Sequence, residues 1–153
     1  MLFIKKRRNG FSMIELVFVI VILGILAAVA IPKFSATRTD AQVAKGRSDV
    51  ASIRSAIISE RQSRLITGDH EYIKAGTGTD ELDDGGLFGG VLTYSITDKD
   101  QDGHWHNISR ESDGSEAKYN YKIGANAVEF TYTRSDGTFD CDHSDDNCKK
   151  LTE

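Results

Sequence analysis

Three aspartates alternate in the stretch DKDQDG: Asp98, Asp100 and Asp102, with Gly103 behind them. Hard carboxylate oxygens at alternate positions, followed by a residue free to turn sharply, form the first half of a calcium loop. The twelfth position of such a loop is Ser109 instead of a bidentate glutamate. The run is therefore not a complete EF-hand. Ca²⁺ is a candidate ligand, and a solvated acidic turn is the plainer reading. His104 and His106 follow and would share a face if extended; two histidines without a third ligand at fixed spacing more often pack or sit at the surface. Cys141 and Cys148 enclose six residues in CDHSDDNC, and there is no other cysteine. Such a pair suggests a disulfide made in an oxidising compartment. A metal site of Cys141, His143 and Cys148 is the other reading, although it lacks the short pair spacing of zinc ligands. The last chemical oddity is Glu15, a carboxylate inside an apolar run. A charge at a bilayer centre costs roughly 2.5–3.5 kcal/mol on insertion scales, so it is rarely accidental there. Glu15 lies near the start of the run, and snorkelling to the interface is its bland alternative.

No enzyme signature accompanies these residues. There is no G-x-S-x-G, and no glycine loop precedes a Lys-Ser/Thr pair. Ser, His and Asp occur, but nothing in their spacing orders them. We expect no catalysis and no required cofactor, with Ca²⁺ as the one candidate ion. The net charge of the 153 residues is −4. Lys5, Lys6, Arg7 and Arg8 supply +4 of it, which leaves −8 beyond residue 10. An acidic body argues against direct nucleic-acid binding, which needs a basic patch.

The elements that must position these residues begin with an apolar segment. Residues 11–31 are interrupted only by Ser12, Glu15 and Gly24, and Pro32 follows. About 20 such residues cross a bilayer as one helix. The basic residues 5–8 on its N-terminal side place that end in the cytoplasm and the body across the membrane. Small residues around Ala27–Ala30 leave ordinary signal-peptide cleavage as a minor alternative. Pro32 lacks a backbone donor and should kink or loosen a helix.

Gly10, Phe11 and Glu15 stand in GFSMIEL, behind a short basic leader and ahead of an apolar helix that ends near Pro32. This resembles the N-terminal motif of type IV pilins and type II secretion pseudopilins over roughly residues 5–34; Ser12 and Met13 replace the commoner Thr and Leu. The resemblance implies cleavage by prepilin peptidase between Gly10 and Phe11, N-methylation of Phe11, and retention of the apolar helix, first as an inner-membrane anchor and then as filament core. It also implies that Glu15 pairs with the Phe11 amine of a neighbouring subunit, and that the stretch from Gly24 to Pro32 partly unwinds on assembly. Other minor pilins or pseudopilins and the inner-membrane assembly platform would be partners, and the subunit would end in an extracellular or periplasmic filament. A calcium-stabilised loop in major pseudopilins matches Asp98–Asp102. A disulfide-closed C-terminal loop in pilins matches Cys141–Cys148.

Beyond Pro32 the pattern turns one-sided. Val43, Val50 and Ile57 recur at seven, with Ala44, Ala51 and Ile58 beside them, and Ile53 and Leu65 extend the stripe. We predict one helix over about 11–66, roughly 80 Å long at 1.5 Å per residue. A glycine-rich loop over 67–90 follows. Strands are predicted at VLTYSI (91–96), KYNYKI (118–123) and AVEFTYT (127–133), with a hairpin turn over 124–126. The division is therefore a leader over 1–10, an apolar helix over 11–34 and a body over 35–153. The expected fold is α+β and pilin-like: a long N-terminal helix packed by its second half on a small antiparallel sheet. The competing reading is a membrane-anchored, monomeric calcium- or ligand-binding module in the periplasm.

Overall fold

The computed structural model describes residues 10–153. Helix α1 runs Met13–Thr67. Four strands follow: β1 Trp105–Arg110, β2 Glu116–Ile123, β3 Asn126–Thr133 and β4 Thr138–Cys141. Helix α2, Asp146–Thr152, closes the chain. The strands form one antiparallel sheet in the order β1-β2-β3-β4. Two compact units divide between Arg38 and Thr39.

The first unit is the apolar part of α1. Its stretch Met13–Ile31 is long and apolar enough to cross a membrane, and none of it is buried within the chain.

In the second unit α1 turns amphipathic, and its predicted stripe is narrower than expected: Ala44, Ala51, Ile58 and Leu65 are exposed, because they lie off the face that meets the sheet. Val50, Ile53 and Ile57 are buried, and Val43 packs beside them. They meet the inner face of the sheet. Alternate residues Ala117, Tyr119, Tyr121 and Ile123 of β2 are buried, as are Val128, Phe130 and Tyr132 of β3. That period of two is what a half-buried strand requires. Gly46 is the point of closest approach: a Cβ there would lie 2.5 Å from the Tyr121 ring and 2.7 Å from Leu151. The helix ends in a Schellman motif. Gly68, at φ +89°, donates to Leu65 O, and Asp69 donates to Arg64 O, which satisfies the orphan carbonyls of the last turn. Gly124, at φ +61°, opens the two-residue turn between Ile123 and Asn126, where a first central glycine suits a type II′ hairpin.

The segment 91–96 is not a strand. Val91 and Leu92 donate to Phe88 O in a tight turn, Tyr94 is 86% exposed, and only Ile96 bridges, to Leu87. Val91 and Leu92 satisfy their apolar character by packing on the core from a loop. The first true strand is β1, WHNISR, whose Trp105 is fully buried against Tyr121, Phe130, Phe139 and Phe88. The His104/His106 pattern thus marks the flanks of a core tryptophan. The short β4 and α2 have no counterpart among the predicted strands and helix.

Candidate functional site

Ser12 caps α1, and Glu15 closes the cap from the other side. Glu15 Oε2 accepts the Ser12 backbone N–H at 2.8 Å, and Ser12 Oγ accepts the Glu15 N–H at 3.3 Å. This reciprocal pair is the capping box S-x-x-E, which satisfies two donors that a helix start leaves orphaned. Phe11 is 83% exposed and Gly10 lies in open space. Gly10, Phe11 and Glu15 therefore meet at an accessible end of an apolar helix. A side chain at Gly24 would meet nothing within 4 Å. Pro32 lies within the helical run, and its side chain falls outside the described residues.

The acidic loop is assembled differently from its motif. Asp98 bonds His106 Nδ1 at 2.7 Å, and Asp100 pairs with Lys122 Nζ at 2.5 Å. Lys45 Nζ donates to Gly103 O at 2.6 Å, which ties the loop to α1. The Lys122 ammonium holds the Asp100 carboxyl below its ordinary pKa. Calcium would need these carboxylate and carbonyl oxygens to converge on one point. Two of the three carboxylates instead face separate basic side chains, so as arranged they do not fit a calcium cage. His104 Nδ1 meets the backbone oxygen of Asp102 at 2.9 Å and takes no part in a cluster with His106.

Cys141 and Cys148 form a disulfide, Cα–Cα 5.8 Å, between the end of β4 and the first turn of α2. Asp145 caps α2 by accepting the Asn147 N–H. Arg54 binds this end of the molecule to α1, donating to Phe139 O at 2.9 Å and to Asp140 at 2.8 Å. His143 Nε2 lies 3.1 Å from the same carboxylate.

Comparison with known proteins assigns this architecture. The prokaryotic N-terminal methylation motif matches residues 5–31. A fimbrial protein of Pseudomonas aeruginosa is 30% identical over 145 residues, 89% of this chain and 86% of that protein. The chain belongs to the type IV pilin and pseudopilin family. The type II secretion system core protein G of Aeromonas hydrophila is 38% identical over 53 residues, 35% of this chain and 37% of its own. The type IV major fimbrial protein FimA of Dichelobacter nodosus is 42% identical over 53 residues, 35% of this chain and 34% of its own. Those two matches span about a third of each relative. No solved structure matches significantly.

Sequence reasoning missed one constellation in this pilin-family chain. Asp83 is buried in the loop after α1 and accepts four bonds: from Phe88 N at 2.8 Å, from Arg110 Nε and Nη2 at 3.0 and 2.7 Å, and from Tyr119 Oη at 2.8 Å. Burial, then the adjacent Asp83 charge, pushes the Tyr119 pKa far up. The network pins the glycine-rich loop to β1 and β2. Nothing in the local sequence separates Asp83 from Asp80 or Asp84. A cleft of about 540 Å³ is lined by Arg61, Tyr72 and Arg134 among others. Within it Arg134 binds Glu71 and Tyr72 O, and Arg61 stacks on the Tyr72 ring.

Proposed function

We propose that this chain is the structural subunit of a type IV pilus-like filament, made as a precursor and cut by prepilin peptidase between Gly10 and Phe11. The single observation that carries this is the accessible GFSMIEL terminus on an apolar helix with no cover of its own. Such a surface belongs in lipid or against other apolar helices. Both are used in turn: the helix anchors the subunit in the bacterial inner membrane, N-terminus in the cytoplasm and body in the periplasm, and then packs among identical helices. The new Phe11 amine is N-methylated and pairs with Glu15 of a neighbouring copy, while Gly24 and Pro32 supply the give that assembly needs. Other minor pilins or pseudopilins and the inner-membrane platform are its partners.

Between pilus and secretion pseudopilus, the pilus is favoured. The likeness to a fimbrial protein runs over 89% of the chain. The likeness to core protein G covers 35% of it. On the same reading the 98–103 loop is closed by Lys122, His106 and Lys45, without a divalent ion.

The test is the intact mass and N-terminal sequence of the protein from its native membrane. A chain that starts at Phe11 and carries one methyl group supports the reading. A chain that still starts at Met1 points to a simple anchor for a monomeric module. A start near Ala30 or Ile31 means an ordinary secreted protein and removes the role given to Glu15.

A further inference from the structure

We propose that Arg61 of one copy grips Asp142 of the next, a contact between chains that rests on the filament reading above. Arginines recur at seven along α1: Arg47, Arg54 and Arg61. Residues seven apart share one helix face, about 10.5 Å apart along the axis. The first two are spent on the C-terminal segment of their own chain. Arg47 donates to Lys150 O at 3.1 and 2.7 Å, and Arg54 to Phe139 O and Asp140. Arg61 meets no acceptor among the described residues; its guanidinium rests 4.0 Å over the Tyr72 ring. That ring is wedged against Gly137, with no room for a Cβ between them, and Arg134 Nε holds the Tyr72 carbonyl at 3.0 Å. Of the acids that line the cleft, Glu71 is bound by Arg134 and Asp113 accepts the Ser115 N–H. Arg61 is thus fixed in place with its charge uncommitted. A guanidinium stacked on an aromatic ring keeps its fork of donors for a carboxylate.

An open filament needs a heterologous interface, in which two different patches of the same chain mate. The matching patch is the disulfide-closed loop 141–148. Asp142 is exposed there; its carboxylate accepts the Ser144 N–H at 2.8 Å and makes no ion pair among the described residues. Its neighbours are spent: Asp140 on Arg54, Asp145 on the α2 cap and Asp146 on Lys149. Acids of the runs 80–84 and 98–102 are held within the chain as well, Asp83 by Arg110, Glu81 by the Gly78 N–H, Asp98 by His106 and Asp100 by Lys122. The disulfide and the Asp145 N–H, which donates to Asp142 O at 3.0 Å, hold the turn still. Little order is then lost on docking. One exposed pair adds little affinity, but the same pair in every copy fixes register, and like charges there oppose every addition.

Arg61→Glu and Asp142→Arg test this in the full-length chain in its native membrane, with sheared filaments counted by electron microscopy. Each variant alone should lower the yield about tenfold, because like charges then meet at every contact. The two variants expressed together should restore it, since each supplies the charge that the other lacks. A folding fault inside one chain is not repaired by a second chain, so recovery identifies a contact between copies. Arg61→Gln and Asp142→Asn ask the same question without a reversed charge: each should cut the yield, and the double variant should fall no further than either. Normal yield from Arg61→Glu, or additive losses in the neutral pair, would overturn the contact and leave the filament reading intact. A loss with Arg61→Glu but none with Asp142→Arg would overturn it too, and would mean that the cleft holds another anion. No filaments from the unchanged chain would sink the filament reading and this contact with it.

Discussion

Glu15 holds the start of its own helix through Ser12 before any neighbour arrives. Its two roles separate by substitution. Glu15→Gln keeps an acceptor for the Ser12 N–H and removes the charge, whereas Glu15→Ala removes both. If the charge pairs with the Phe11 amine of another copy, both variants should stay anchored but yield few sheared filaments in electron micrographs. Normal yield from Glu15→Gln would mean that only the cap matters. Asp83 makes the opposite kind of case, a residue whose weight lies wholly inside one chain. Asp83→Ala leaves Arg110, Tyr119 Oη and Phe88 N without their acceptor. Breaking a buried ion pair costs about 3 kcal/mol, which should appear as a clear fall in Tm; an unchanged Tm would show that the loop is not pinned there. Phe88 adds to that pin. It sits at φ +59° yet is fully buried against Trp105, Tyr119 and Phe139. A bulky residue in that backbone region is strained by roughly 1–3 kcal/mol, and the aromatic burial outweighs it.

Elements were legible where their period was unmixed. The α1 stripe and the β2 and β3 alternations are each set by burial on one face, so spacing alone reveals them. VLTYSI failed because apolar content without a strand partner can be satisfied by packing from a loop. WHNISR was hidden because its polar flanks looked like ligands, and α2 because seven residues carry little periodicity. In the 98–103 loop the motif is calcium-like by spacing, and Lys122 and Lys45, which reach the same loop, come from elsewhere in the chain. Its expected behaviour follows. Tm of the oxidised protein should be the same in Ca²⁺ as in a chelator, and a rise with Ca²⁺ would show that the carboxylates regroup around the ion. Reducing the disulfide should cost about 2.5 kcal/mol, the loop-entropy figure for so short a ring, read as a lower denaturation midpoint.

For the molecule as a whole, stability at alkaline pH reports the packed sheet. Tyr121 is pushed up to about 12 by burial, then by the nearby Asp49 charge. Tyr119 and Tyr132 are pushed higher still, each chiefly by burial. A tyrosine raised above its unfolded value near 10 favours the native state fully below pH 10. That advantage is lost as pH rises through the folded value. The body should therefore stay folded to about pH 10 and unfold cooperatively above it, and UV titration should show these three tyrosines ionising only with unfolding. Ionisation near pH 10 in folded protein would contradict the burial described here.

Residue order by itself determined the apolar helix, its terminal Gly10–Phe11–Glu15 arrangement, the amphipathic second half and the central hairpin. These depend on contiguous spacing, which the chain carries along its length. Tertiary structure decided which aspartate is buried, which lysines close the acidic loop, and that Asp140 and His143 stand beside the disulfide with Arg54 behind them. Asp83 and Arg110 lie 27 residues apart in the chain, and Arg54 and Asp140 lie 86 apart. Only folding brings them within bonding distance, because a hydrogen bond depends on separation in space and not on separation along the chain.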